Sequence, residues 1–264
     1  MANCYKNFPV IIEYSDGTSG TIYGSRVNID EGLDLQTSES LGLKGSSVVF
    51  NSSLTKGSLS VDGLLVDASG LSGVIGLQGS NDQNIQIQAG PYILPKPCVM
   101  DSVALNIAVG EPVSCTRSFS FFGAISGGTA PAASPNNLTG IIPKNVTLSG
   151  YDSISGSNII NNVSWQVTQN YETINLLGDA KPTVIFRDGQ IDLGIDGEGL
   201  TVPLTADSGV VCPVPAKNYA VSISGCDGVD TQTLPITSGY MSSRSLSIEP
   251  GRPQSSSVSI VQYL

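Results

Sequence analysis

The chain has 264 residues, carries 22 acidic against 12 basic side chains for a net charge of −10, and contains no histidine. That balance argues against a protein that grips nucleic-acid phosphates, and the missing histidine removes the commonest general base and the commonest zinc ligand together. Charged residues are only 13% of the chain, too few for long helices with Glu/Lys faces, so the composition points to an all-β protein.

Alternating segments run the length of the sequence: Pro9–Tyr14, Ser58–Val66, Asn84–Gln88, Val103–Val109, Ser118–Phe122, Val146–Leu148, Asn162–Val167, Gln190–Ile195, Tyr219–Ser224, Arg244–Ile248 and Ser257–Val261. Period-2 alternation of this kind predicts half-buried strands. Turn chemistry separates them at Asp16-Gly17, Gly127-Gly128, Asp188-Gly189 and Asp227-Gly228. Gly32–Leu41 and Leu65–Leu77 are candidates for short helices, the second weakened by its glycines. No run reaches membrane-spanning length, so no membrane partner is expected.

The chain says nearly the same thing twice. Met100, Ser102, Leu105, Ile107, Gly110, Pro112 and Ser114 recur in register as Met241, Ser243, Leu246, Ile248, Gly251, Pro253 and Ser255. Upstream, Val27-x-Ile29 matches Val163-x-Trp165, Leu41-Gly42 matches Leu177-Gly178, and Leu59-x-Val61-Asp62-Gly63 matches Leu193-x-Ile195-Asp196-Gly197. Ile85-x-Ile87 matches Val221-x-Ile223, and Arg117–Phe122 matches Val258–Tyr263. The spacing drifts only between blocks, where loops differ in length while ladders keep register. We read a tandem duplication, with copy one at 1–123 and copy two at 124–264, each a β-barrel or β-sandwich domain with at most short helices.

Catalytic equipment is sparse. No GxSxG, Walker loop or dinucleotide fingerprint is present, so no enzyme activity, metal or cofactor is expected. The best candidate for chemistry is Asp188-Gly-Gln-Ile-Asp192-Leu-Gly-Ile-Asp196-Gly-Glu198, whose spacing fits no calcium loop. Asp192 and Asp196 are two strand periods apart and share a face. Copy one has Ser58 and Asp62 there, so only Asp62 repeats as a carboxylate, in a position that capping of the following glycine explains. Arg117 and Arg187 read as isolated strand-adjacent charges that serve solubility at the surface or, as the alternative, interface salt bridges. Trp165, Phe119, Phe121 and Phe122 read as core or subunit-contact residues. The small, Pro/Gly-rich stretch from Ser126 to Asn137 is either a linker or an arm that orders on a neighbouring subunit; Ser126, Gly127, Gly128, Pro131, Pro135, Asn136 and Asn137 are its characteristic residues.

The opening Met-Ala-Asn-Cys-Tyr-Lys has no basic region leading into an apolar one, and so does not read as a secretory signal. Cys4, Cys98, Cys115, Cys212 and Cys226 form no CxxC and no repeat-matched pair. Their odd count and scatter fit free thiols in a reducing cytoplasm.

The block Val163-Ser-Trp165-x-Val167-x4-Glu172-x3-Leu176-Leu177-Gly178-x7-Phe186, then Leu193-x-Ile195-Asp196-Gly197 and the closing Met241-x-Ser243-x2-Leu246-x-Ile248-x2-Gly251-x-Pro253, resembles structural proteins of tailed bacteriophage virions. The pattern is similar to the tail-tube β domain that stacks in rings, here duplicated. Glu172 departs from the repeat, since copy one has Gln36. The resemblance implies a virion tail subunit assembled in the host bacterial cytoplasm, partnered by itself and by other tail or neck proteins. DNA would be transiting cargo, and Asp62, Asp192 and Asp196 would face the lumen. It implies rings of six domains, hence three chains, with six chains as the other arrangement. An adhesin-like or receptor-binding β-sandwich module, or a neck or capsid-associated subunit, is the alternative.

Thiol titration of the denatured, non-reduced chain is expected to find all five cysteines free. Recovery of a single thiol would mean two disulfides and would contradict cytoplasmic assembly.

Overall fold

In the computed structural model the described residues are 8–13, 19–39, 47–64, 85–131, 141–149, 159–174, 181–198, 216–225, 231–251 and 255–264. They form β1 (Phe8–Glu13), β2 (Ser19–Glu39), β3 (Ser47–Leu64), β4 (Gln86–Ala89), β5 (Tyr92–Ile93), β6 (Cys98–Ala108) and β7 (Ser114–Phe122). The second half adds β8 (Ser126–Gly127), β9 (Pro143–Ser149), β10 (Ile159–Ile174), β11 (Thr183–Glu198), β12 (Lys217–Gly225), β13 (Thr231–Ser247) and β14 (Ser255–Tyr263). The protein is all-β, as composition and alternation require. All the strands pair antiparallel into one open sheet of order β8-β5-β4-β1-β2-β3-β7-β6-β10-β11-β14-β13-β12-β9.

The ladders repeat as the sequence does. Strands β2-β3-β7-β6 and β10-β11-β14-β13 follow the same order. Val27↔Val61↔Arg117↔Val103 in the first set answers Val163↔Ile195↔Val258↔Arg244 in the second. The irregularities repeat too. Register shifts at Ser25, Asp34 and Asp101 match those at Asn161, Asn170 and Ser242. Bulges bend and re-aim strands, so shared bulges mean shared curvature. The remaining strands differ in where they attach. β4 pairs with β1 and β1 with β2, whereas β9 pairs with β12 and β12 with β13. A single bridge, Ile85↔Cys98, links β4 to β6 where the second half has the full β12–β13 ladder. The two halves therefore share one circular strand order, opened at different points.

Alternation then separates two faces. Leu59, Val61, Leu105, Phe119, Val163, Trp165, Leu193 and Ile260 are each at most 2% exposed and belong to one apolar cluster running through both halves. The terminal strands join that cluster through Val10, Ile12, Ile87, Val221 and Ile223, so the sheet curls to cover its apolar face. Gly57 stands directly across from Phe121, and a Cβ there would collide with that ring. The absent side chain makes room for the aromatic one.

Three expectations need correcting. Gly32–Glu39, read as the start of a helix, is the end of β2, where Leu33 pairs with Thr55 and, past a register shift, Leu35 to Glu39 pair with Asn51 to Ser47 of β3. Leu65–Leu77 lies outside the described residues. Asp188-Gly189 is not a turn but sits inside β11 beside the bulge at Asn170, which accommodates the irregularity without reversing the chain. Arg117 is 3% exposed and lies on the apolar face between Val61 and Val103, not at the surface.

Phe119→Ala removes a fully buried ring and is expected to cost about 3–5 kcal/mol in urea unfolding. A loss below about 1 kcal/mol would contradict its central place in the core.

Candidate functional site: the polar face and the junction of the halves

The face opposite the core is almost wholly small and polar. Across β3, β7, β6 and β10 it carries Ser58, Ser60, Thr116, Ser118, Ser102, Asn106, Ser164 and Gln166 in adjoining ladder positions. It continues over β14 and β13 through Ser257, Ser259, Ser243 and Ser245. Hydroxyls bridge neighbouring strands, Ser102 Oγ to Ser118 Oγ and Ser245 Oγ to Ser257 Oγ, each at 2.7 Å. Such cross-strand pairs stabilise a sheet face that stays in water.

The three aspartates singled out from the sequence all lie on this face. Asp62 is half-buried and accepts a hydrogen bond from Thr116 Oγ1 at 2.9 Å. Asp192 is half-buried and accepts from Gln190 Nε2 at 2.6 Å, while Asp196 is exposed. Asp192 and Asp196 share the face, as their spacing requires, and Asp62 takes the ladder position equivalent to Asp196. Asp30 adds another carboxylate, and Arg26, directly across from Asp62, a cation. No cluster of three or more metal-ligating side chains occurs among the described residues.

The Pro/Gly-rich segment begins by folding back on its own chain. Ser126–Gly127 is β8, paired with Tyr92–Ile93, and Gly128 N donates to Pro91 O at 2.7 Å. Gln88 Nε2 donates to Thr129 O at 2.6 Å. Pro131 is half-buried, and Pro135, Asn136 and Asn137 lie outside the described residues.

The feature that sequence reasoning missed is the join between the halves. It is a ladder, not a linker: Ser102–Ala108 of β6 pairs with Asn162–Thr168 of β10. Leu105 stands across from Trp165, Ile107 across from Val163 and Val103 across from Val167, all at most 2% exposed. Beyond this ladder the β10–β11 hairpin reaches over the ends of β6 and β7. There Val184 and Tyr171 pack on Val99 and Phe122, with the Phe122 and Tyr171 rings edge-to-face at 6.3 Å. A polar group completes the contact. Ser120 Oγ donates to Asp101 Oδ2 at 2.9 Å, and Lys56 Nζ lies 6.0 Å from the Tyr171 ring centre. Burial pushes the Asp101 carboxyl above the usual aspartate range, against hydrogen bonds from Ser120 and Tyr171 and the Lys56 charge. Burial likewise raises the Tyr171 phenol, helped by the Asp101 charge beside it.

The two described cysteines of this half are inert. Cys98 and Cys115 are free and buried, and burial drives Cys98 up to about 12, far from a reactive thiolate.

No protein-family model matches the chain, and no curated protein does so.

A raised carboxyl pKa in the folded state means stability present in acid and lost as pH climbs through that pKa. Relative to Asp101→Asn, the wild-type chain is therefore expected to lose stability between about pH 4, the ordinary aspartate range, and neutrality. Denaturant unfolding of both proteins across that window checks this. A difference that is flat, or that moves in favour of the wild type with rising pH, contradicts it.

Proposed function

We propose that this chain is a structural subunit of a bacteriophage tail tube that acts by assembling with copies of itself into stacked rings. One observation carries the reading. The two equivalent four-strand sets lie side by side in one sheet, joined head to tail by the β6–β10 ladder. A head-to-tail contact between equivalent units repeats around a ring when its rotation closes. A chain that already contains one such contact has two of the ring's units in place.

The polar face suits the wall of a conduit. Hydroxyls and amides keep it hydrated, and Asp30, Asp62, Asp192 and Asp196 outnumber Arg26 and Lys56 on it. Fixed carboxylates repel DNA phosphates, the inverse of the basic surface that binds them. The partners in this reading are other copies of the chain and other tail or neck proteins, with DNA as cargo. Three chains, each supplying two units, would complete a six-unit ring.

Negative-stain microscopy of the purified full chain is expected to show rings or tubes with a central channel. A monodisperse monomer would overturn the reading in favour of a surface-binding module. A channel lined mainly by Lys and Arg would overturn the conduit role.

A further inference from the structure

The two outer edges of the repeated sheet carry versions of the internal junction that the described residues leave unfinished. On β2, residues Arg26–Gly32 correspond to the β10 residues that β6 covers. Among the described residues, β1 pairs with β2 no further than Gly24 and leaves the outer edge of that stretch without a ladder. On β13, β12 pairs no further than Gly239 among the described residues, short of Tyr240–Ser247. Burial differs between the junction and these edges. Ile107 is 1% exposed inside the junction, while its counterpart Ile248, just past the end of β13, is 72% exposed. Val163 and Trp165 are buried, but their counterparts Val27 and Ile29 are only half-buried.

We propose that the β13 edge of one molecule pairs antiparallel with the β2 edge of a second copy, in the register that β6 and β10 use within the chain. It rests on the self-association proposed above and names its contact. Transferring the internal register sets Ile248 opposite Val27 and Leu246 opposite Ile29, restoring the apolar pairs of the junction. It also sets Glu249 opposite Arg26 and Arg244 opposite Glu31. The internal ladder has neutral pairs at those two places, Ala108 with Asn162 and Val103 with Val167. Opposite charges at both ends of the transferred ladder are thus a property of the edges themselves. They favour this register, since opposite charges directly across a ladder stabilise it, and a slip of one residue separates the Glu249–Arg26 pair and turns Leu246 and Ile248 away from Ile29 and Val27.

The second layer of the junction points to the same partner. Val99, Met100 and Phe122 are at most 3% exposed, whereas their counterparts Tyr240, Met241 and Tyr263 are 37%, 37% and 69% exposed. Within the chain the β10–β11 hairpin covers Val99 and Phe122. Its equivalent in a second copy is the β2–β3 hairpin, which would arrive over Tyr240 and Tyr263 when the two edges pair. An open, apolar strand edge is a surface that a folded chain either protects or uses. This one matches the other end of the same molecule in shape, hydrophobicity and charge order.

The test combines a cross-link with a disruption, both in the full chain. Residues directly opposite in an antiparallel ladder have Cα atoms roughly 4.5–5.5 Å apart, within disulfide range. In the double variant Val27→Cys, Ile248→Cys, oxidation is expected to yield a 27–248 linkage between chains, identified by peptide mass spectrometry and absent from either single variant. Ile248→Glu, at an exposed position that leaves the fold intact, is expected to raise the concentration needed for assembly by about tenfold or more. Leu64→Glu, which is also exposed and copies the Glu198 of the second half, is expected to leave it unchanged. Rings or tubes that form without the 27–248 linkage and tolerate Ile248→Glu would overturn the edge pairing while leaving self-assembly standing. A chain that stays monomeric at every concentration would overturn both.

Discussion

Everything in this molecule depends on how strand edges are satisfied. A strand at the border of a sheet presents a row of unpaired N–H and C=O groups, and a protein must cover, close or use them. Here β6 meets β10, and the border between the two halves disappears into a continuous ladder. That one pairing joins two four-strand sets of the same ladder order into a single sheet with one apolar cluster running through both. It also fixes the position of Trp165, the largest of the fully buried side chains, at the seam. The equivalent edges at the two ends have no such cover among the described residues, and the exposed Tyr240, Met241 and Ile248 lie along one of them.

The strict two-residue period of the strands turns this pairing into a surface. With Val, Leu, Ile and Phe on one side and Ser, Thr, Asn and Asp on the other, eight neighbouring strands build a hydrated face on an apolar floor. Small hydroxyl side chains cost little conformational entropy to order and leave the face smooth. Its charge is carried by a few aspartates held by neighbours such as Thr116 and Gln190. The described ionisable groups that burial shifts clearly are Cys98, Asp101, Cys115 and Tyr171, and all four serve packing, two of them at the seam between the halves.

Much of the architecture was legible in the sequence because alternation and repetition are both one-dimensional signals. Matching Met100 with Met241, or Val61 with Ile195, anticipated which strands would occupy equivalent ladder positions. The face of Asp192 and Asp196 followed from spacing alone. Other features were hidden for physical reasons. The long hairpin arms of β2–β3 and β10–β11 run past the rest of the sheet, so their ends carry less of the core alternation, and Gly32–Glu39 looked helical. A bulge absorbs an extra residue without turning the chain, so Asp188-Gly189 gave a false turn signal. Arg117 shows the limit of reading charge as exposure, for its copy-two counterpart is Val258 on the same buried face. The seam could not be read at all, because which edges meet is decided by three-dimensional closure and leaves no local mark on either strand.

Amide hydrogen exchange, compared between dilute and assembled protein, tests the central claim most directly. Exchange reports whether a backbone N–H has a partner, residue by residue. The account predicts that assembly slows exchange at 26–32 and 243–249 together, while the internal seam at 102–108 and 162–168 is protected in both states. Assembly that leaves both outer edges exchanging as fast as in the dilute chain, and protects some other surface instead, would contradict it.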